Sequence, residues 1–302
     1  NRVGAAGRGE SVWLTWFLAA VLQDMAPLCR HRGENELADR LLIRADALVQ
    51  AAEEAWDGNW YRRGYYDDGT PLGSARSGPC QLDAIAQAFS LWPGGSDRGR
   101  ADQAVSAALE RLFDRRHGLV RLFDPPFSTV NREDPGYIKG YPEGVRENGG
   151  QYTHGAIWLA QACFRLNRPE DGWDILRTLL PEHHSTEEYR GEPYVLAADV
   201  SSAPGREGRA GWTWYTGAAG WYWQTAVEEM LGLRLESGAL RVTPRLPAHW
   251  PGYRVRWTRP KGTLTLRVER TGTPGITLDG APVERGVPLA ELKGDHRLRV
   301  TF

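Results

Sequence analysis

The spacing of hydrophobic residues divides the chain into a helical part and a β-rich tail, with the change near residue 232. Before that point, apolar side chains recur every three or four positions, which predicts α-helices. Gly and Pro residues fall between these segments and mark where helices begin and end. The predicted helices are Val12–Leu28, Glu36–Ala55, Leu82–Leu91, Arg100–Phe113, Ala156–Leu166, Asp171–Leu180 and Trp212–Leu231.

From about Arg234 the pattern alternates between apolar and polar residues, which is typical of β-strands. The alternating segments are LRVTPRLP, YRVRWTR, GTLTLRVER, GITLDG and HRLRVTF. Helices followed by strands predict two structural units. We therefore predict a helical domain over residues 1–232 and a small antiparallel β-sandwich over residues 233–302.

Three long loops, rich in Gly and aromatic residues, separate the predicted helices: Trp56–Ser77, Phe123–Tyr152 and His183–Gly211. Loops of this length are uncommon in compact domains unless they have a function. Paired helices with functional loops at one end favour an (α/α) toroid.

The amino-acid composition excludes some classes of function. The 37 Lys and Arg residues balance 38 Asp and Glu residues, which gives no electrostatic surface for nucleic acid or an anionic membrane. The 13 Trp and 11 Tyr residues suit sugar rings as well as an ordinary core. Three distant cysteines indicate a reducing compartment, and no metal-binding spacing or P-loop is present. We expect a cytoplasmic protein, because no targeting signal is visible and the apolar run at residues 12–22 is too short to span a bilayer.

Four loop segments carry the candidate chemistry: WYRRGYYDDGTPLGS, GYPEGVRENGGQYTHGA, EPYVLAADV and GWTWYTGAAGWYW. Each segment also has a purely structural interpretation, as a turn, a helix cap, a core histidine, close helix packing or a surface charge. Together, however, they supply an acid (Asp67), the cations Arg63, Arg146 and His154, and a hydroxyl next to glycine (Thr216-Gly217). This combination suits a pocket for a sugar and an anion, since a glycine amide at a helix start binds anions well.

These segments, with RGESVWLTWFL, closely resemble glycoside hydrolase family 94 from about Arg8 to Trp250. That family contains cellobiose and chitobiose phosphorylases and the phosphorylase-like domain of cyclic β-1,2-glucan synthases, and the glucan-synthase branch is the most similar. The resemblance implies an (α/α)6 barrel, incomplete here, with a C-terminal β-sandwich. It also implies inverting phosphorolysis of a β-glucoside to α-glucose 1-phosphate, with inorganic phosphate as co-substrate and no cofactor or metal.

The resemblance also implies roles for individual residues. Asp67 would be the general acid, and its pKa should then be raised by burial against aromatic residues or by bound phosphate. The implied phosphate ligands are Arg63, His154, Thr216 and Gly217. The implied sugar contacts are Glu147, Tyr215, Glu192, Tyr194, Arg8 and Glu10.

Two alternatives stay open. An inverting hydrolase on the same barrel would use Glu147, Asp199 or Glu192 as its base. A carbohydrate-binding remnant would need no phosphate ligands. A toroid of this kind has twelve helices and the pattern predicts seven, so we expect a missing N-terminal part or a second chain as partner, and a homodimer is compatible with the family.

Overall fold

A computed structural model describes residues 2–214, 216–284 and 286–302. The helices confirm the predicted helical pattern up to residue 180, with ends shifted by a few residues. In chain order, α1 to α8 are Val12–His31, Asn35–Glu53, Ala84–Phe89, Arg98–Leu112, Thr153–Arg165, Pro169–Thr178, Thr186–Tyr189 and Ala218–Gln224.

Helices α1 and α2 pack closely because each presents alanines to the other. Ala26 of α1 and Ala38 of α2 are completely buried in a shared cluster with Cys29. At 20 residues, α1 is long and apolar enough to cross a membrane by length and composition, so the expectation that this run is too short was wrong. Core helices pass the same test, and α1 packs on a neighbour, so the helix alone is weak support for a membrane segment.

The last predicted helix begins six residues later than expected. Residues 212–214, 216 and 217 are not helical, and α8 begins at Ala218 and continues as a wider helical turn over Thr225–Met230. The apolar spacing that predicted a helix from Trp212 includes Trp212 and Trp214, whose side chains lie largely in solvent.

Two-residue strands, which the sequence pattern did not predict, connect the long loops. Antiparallel pairs join β1 to β2, β2 to β3, β4 to β7, β5 to β6 and β8 to β9. Strands β1 to β9 are Glu10–Ser11, Gly64–Tyr65, Pro71–Leu72, Leu82–Asp83, Phe113–Asp114, Leu119–Val120, Phe123–Asp124, Gln151–Tyr152 and Asp199–Val200. These pairings give the loops fixed positions at the helix ends.

The C-terminal part is β-structure, as predicted. Strands β10 to β17 are Leu233–Glu236, Ala239–Val242, Gly252–Arg259, Gly262–Glu269, Gly275–Leu278, Ala281–Pro282, Val287–Pro288 and His296–Thr301. They form a three-stranded sheet, β10-β11-β16, and a five-stranded sheet, β12-β13-β17-β14-β15, which share one hydrophobic cluster.

The prediction that this tail is purely antiparallel was wrong. The last strand, β17, inserts between β13 and β14, so it runs parallel to β13 and antiparallel to β14. Side-chain alternation specifies the buried face of a strand but not its neighbour, so the sequence pattern could not reveal this insertion.

The chain divides into two compact units. One comprises residues 1–162 and 175–221, and the other comprises residues 163–174 and 222–302. The predicted boundary at residue 232 matches the change from helix to strand, whereas packing assigns two helical segments to the β-rich unit.

Candidate active site

The centre of the candidate site is His154, in the first turn of α5. The strand β8 immediately precedes this helix, and β8 pairs with β9. The imidazole stacks on Tyr152, with ring centroids 5.1 Å apart. Its Nδ1 atom is buried and has no hydrogen-bond partner, and burial lowers the pKa of His154 below its ordinary value. His154 therefore favours the neutral form here, with an unsatisfied nitrogen that calls for an explanation.

Gly217 lies against this histidine just before α8, and Thr216 immediately precedes it in the chain. The Thr216 hydroxyl accepts a hydrogen bond from the Ala218 amide at 3.0 Å, in the manner of a helix cap. A Cβ atom added to Gly217 would lie 3.4 Å from His154 Nε2. The structure thus brings together three of the four predicted phosphate ligands, at a helix start where the backbone dipole favours an anion.

Two tryptophans that were not predicted as site residues lie beside His154 and line this site. The Trp158 ring lies 5.8 Å from the His154 imidazole and 5.6 Å from the ring of Trp221. Trp158 follows His154 by four residues, and Trp221 follows Gly217 by four residues. Residues four apart share one face of a helix, so this spacing was a usable signal.

Glu147, a predicted sugar contact, is half-buried beside Arg146. Its Oε2 atom is buried without a hydrogen-bond partner, and the nearest Arg146 nitrogen is 3.7 Å away. The Glu147 charge also contributes to the raised pKa of Tyr152, after burial. Glu147 and His154 thus both lie near Tyr152, and each has a buried polar atom without a hydrogen-bond partner.

Asp199 lies directly opposite Tyr152 in the β8–β9 pair. Its carboxylate occupies the space that a side chain at residue 211 would need, since a Cβ on Gly211 would lie 2.1 Å from Oδ2. Oδ1 accepts a hydrogen bond from the Trp212 amide at 3.1 Å. Burial is the main cause of the raised pKa of Asp199, which Arg146 partly opposes. The carboxylate therefore fixes the loop that precedes α8.

Glu192 and Tyr194, also predicted as sugar contacts, lie beside Trp214. The Trp214 indole N–H donates to Glu192 Oε1 at 2.9 Å, and the rings of Tyr194 and Trp214 are 6.1 Å apart. Next to them, Asp199 and Trp212 help to line an open cleft of about 580 Å³.

Asp67 does not have the environment expected of a protonated general acid. Its carboxylate is partly exposed and accepts hydrogen bonds from the backbone amides of Ala6, Arg8 and Gly9 at 2.7–3.0 Å. These bonds, that of Ala6 foremost, lower the pKa of Asp67. The upward shift expected from burial was therefore wrong, because three donors stabilise the ionised form, whereas the shift expected from bound phosphate stays a prediction.

The aromatic residues that were expected to bury this acid point elsewhere. Trp60 is 7% exposed, and its indole N–H is shared between the carbonyls of Gly73 and Gln81. The Tyr66 hydroxyl is buried without a partner, which raises its pKa. Trp60 therefore belongs to the core rather than to a platform under Asp67.

Arg63, the fourth predicted phosphate ligand, is held by other groups. Its guanidinium pairs with the buried carboxylate of Asp83 at 3.3 Å, donates to Ser11 Oγ at 3.1 Å and lies over the Trp13 ring. Within the described ranges, no hydrogen bond or ion pair joins it to His154. Asp83 is the helix cap of α3, which gives this arrangement a structural role.

Three predicted sugar contacts remain. Arg8 and Glu10 are exposed beside the Asp67 turn, where Arg8 Nε donates to the Asp67 carbonyl at 3.1 Å. Tyr215 lies outside the described residues. In the part of the chain that the structure describes, no cluster of His, Cys, Asp and Glu could hold a metal ion.

Residues 2–232 match the family described as "Glycosyl hydrolase 94 superfamily, catalytic domain". The chain belongs to this family.

The curated relatives are longer proteins. The chain is 45% identical to a cyclic beta-(1,2)-glucan synthase of Rhizobium meliloti (strain 1021), over 93% of this chain and 10% of that protein. It is 32% identical to a 3-O-beta-D-glucopyranosyl-beta-D-glucuronide phosphorylase of Paenibacillus borealis, over 93% of this chain and 37% of that protein. It is 28% identical to an N,N'-diacetylchitobiose phosphorylase of Vibrio proteolyticus, over 98% of this chain and 38% of that protein.

Among solved structures, one described as a sialidase superposes with a TM-score of 0.55, over 82% of this chain and 22% of that chain. The identity is 12%, so the likeness concerns the fold alone.

Proposed function

We propose that the chain is part of an inverting glycoside phosphorylase, which cleaves a β-glucoside with phosphate and releases α-glucose 1-phosphate reversibly. The observation that carries this proposal is the contact between His154 and Gly217, where an added Cβ would lie 3.4 Å from the imidazole Nε2, next to the Thr216 hydroxyl at the start of α8. The named phosphorylases among the relatives support the reaction type.

The residue types suit phosphate better than they suit water as the nucleophile. An inverting hydrolase needs an acid and a second carboxylate that activates water. Phosphate is already an anionic nucleophile, so it requires cations and N–H donors in place of that base. A helix start with a glycine amide, a hydroxyl and an imidazole supplies such donors. Bound phosphate would also favour the protonated imidazole.

Glu147 is proposed as a sugar contact. Its buried Oε2 atom lacks a partner, and sugar hydroxyls are donors of the kind that a buried carboxylate accepts.

Asp67 is proposed as a positioning residue that holds the segment Ala6–Gly9 through backbone amides. Its lowered pKa and exposure favour this role over proton donation. We propose that another carboxyl group of the longer protein donates the proton.

The longer protein would also complete the fold. We propose that the helices form part of an (α/α)6 barrel, that the two C-terminal sheets form a sandwich, and that further helices cover the outer face of α1. Leu14, Leu18 and Leu28 of that face are 44–51% exposed, which is unusual for large apolar side chains that lie together. A cytoplasmic location stays a prediction that the phosphate requirement favours.

The full-length protein, incubated with cellobiose or β-1,2-linked gluco-oligosaccharides with and without phosphate, tests the proposal. Phosphate-dependent release of glucose 1-phosphate is expected. Release of glucose without phosphate would instead indicate the hydrolase, and binding without turnover would indicate a carbohydrate-binding remnant.

A further inference from the structure

A group of exposed aromatic residues lies beside the candidate site and has no role in the proposed phosphate chemistry. Trp212, Trp214 and Tyr194 are 55%, 69% and 75% exposed, respectively. Single exposed hydrophobic residues are ordinary, but clustered ones indicate a binding surface. We call these three residues the aromatic platform.

The side chains of the aromatic platform are held in defined positions. Glu192 accepts the Trp214 indole N–H at 2.9 Å, and the Tyr194 ring packs edge-on against the same indole. The Arg146 guanidinium lies 5.6 Å from the Trp212 ring, and the Trp212 amide is bound to Asp199. Anchored rings lose little conformational freedom on binding a ligand, so the contact area is available at low entropic cost.

The aromatic platform is connected to the phosphate site through a short series of contacts. The Trp212 amide binds Asp199, Asp199 lies opposite Tyr152 in the β8–β9 pair, and Tyr152 stacks on His154. The open cleft of about 580 Å³ includes Trp212 and Trp214, and it also includes Arg146 and Asp199. These contacts place the cleft, and the two tryptophans that line it, close in the structure to the residues around His154.

The charges around the aromatic platform discriminate among ligand classes. Single-stranded nucleic acid also stacks on aromatic residues, but it requires a positively charged groove. Among the described residues that line the cleft, the charged side chains are Asp199 and Arg146, and the Glu192 carboxylate is bound to Trp214, so no excess of positive charge is present. Aromatic faces bordered by carboxylates suit a neutral chain with apolar ring faces and many hydroxyl donors, which is the chemistry of a glucan.

We propose that the aromatic platform binds glucosyl units of a β-linked glucan beyond the bond that is cleaved, and so favours long chains over disaccharides. This inference rests on the proposed phosphorolysis only for the position of the cleaved bond.

The test compares the full-length wild-type protein with Trp214→Ala, and uses Trp223→Ala as the matched control. Trp223 is also exposed, at 64%, but it lies in the other compact unit. The expected result is a loss of about tenfold in kcat/KM for long β-linked gluco-oligosaccharides, with the value for the disaccharide unchanged, because stacking on one ring is lost. Trp223→Ala should match wild type on both substrates.

Retardation of the protein in gels that contain β-glucan, without phosphate, measures binding independently of turnover. Reduced retardation of Trp214→Ala would support the aromatic platform even if no phosphorolysis occurred. Unchanged retardation and unchanged chain-length preference would overturn the inference. A changed oligomeric state of Trp214→Ala, with glucan binding intact, would also overturn it and identify a protein interface instead.

Discussion

The imidazole of His154 lies directly against the backbone of Gly217, so that a methyl group on this glycine would be 3.4 Å from Nε2. The two residues are 63 positions apart, and each lies at the start of a helix. An anion in contact with both would meet an N–H donor from each side. A substitution at Gly217 therefore tests whether an anion binds beside His154.

Gly217→Ala should preserve the fold and impair phosphate binding. The backbone of Gly217 does not have a positive φ, and 3.4 Å is an ordinary van der Waals contact, so alanine fits. The added methyl group would keep phosphate from the backbone amide. Loss of one hydrogen bond to a charged group is worth about 1.5–3 kcal/mol, which raises the KM for phosphate about 10- to 100-fold.

Gly220→Ala is the matched control, since nothing lies within 4 Å of a Cβ at Gly220. Initial rates at varied phosphate concentration check both variants. An unchanged KM in Gly217→Ala would show that phosphate binds elsewhere.

Phosphate should raise the pKa of His154, which burial lowers in the empty site. Because this pKa is below its unfolded value, the unfolded chain takes up the proton first as the pH falls below about 6.5, and the folded state loses stability there. Bound phosphate should instead raise the pKa of His154, since it stabilises the imidazolium. Binding near neutral pH should therefore take up a proton, and affinity should decrease as the pH rises.

Calorimetry in buffers with different ionisation enthalpies measures this proton uptake. His154→Gln should bind phosphate about 10- to 100-fold more weakly and should take up fewer protons. Equal proton uptake by the variant and by wild type would exclude His154 as the titrating group.

Asp67→Asn separates the positioning role from the role of acid. A general acid matters most for poor leaving groups, so its removal spares aryl glucosides with activated leaving groups. If Asp67 only holds Ala6–Gly9 through amides, the variant should lose activity to the same degree on aryl glucosides and on glucan. Asp68→Asn, next to it, is the control.

Because the pKa of Asp67 is lowered, its contribution to the stability of the fold should depend on pH. Its stabilising effect is present above the unfolded pKa and is lost as the pH falls through the folded value. The difference in melting temperature between wild type and Asp67→Asn should therefore vanish in acid. Selective loss of activity on glucan alone would restore Asp67 as the acid.

The sequence predicted the helices well because their apolar spacing follows directly from burial on one face. Ala38, Ala45, Val49 and Ala52 of α2 repeat at helical intervals and are all buried. It failed at Trp212, where aromatic spacing imitated a helix although the side chains face solvent and the Asp199 carboxylate fixes the backbone. Residue spacing cannot distinguish an exposed ring from a buried one.

The site was predictable only in part, for a related reason. The family resemblance implied His154, Thr216 and Gly217 as phosphate ligands, which stays a prediction, and the structure places His154 beside Gly217. The role of Asp67 depends on three backbone amide donors from residues about 60 positions earlier. Nearly every residue type has such an amide, so the sequence does not reveal which amides will donate. The pairing of Arg63 with Asp83 is likewise a consequence of tertiary structure.

The β-rich unit has a buried charge cluster that should control its stability. The carboxylate of Glu229, with 2% of its surface exposed, pairs with Arg165, Arg234 and Arg245 at 2.6–3.4 Å. Arg165 comes from the end of α5, so this cluster ties the segment 163–174 to the strands. Removal of one partner from a buried ion pair typically costs about 3–5 kcal/mol.

Glu229→Gln should therefore lower the local unfolding free energy of this unit by about 3 kcal/mol, since the arginines regain some solvation at the surface. Hydrogen exchange of residues 163–174 and of β11 in the full-length protein measures this opening. Glu236→Gln is the control, because its carboxylate is 46% exposed beside Arg241 and such pairs contribute at most about 1 kcal/mol. Faster exchange confined to β11, with residues 163–174 unaffected, would show that Glu229 does not join the two segments.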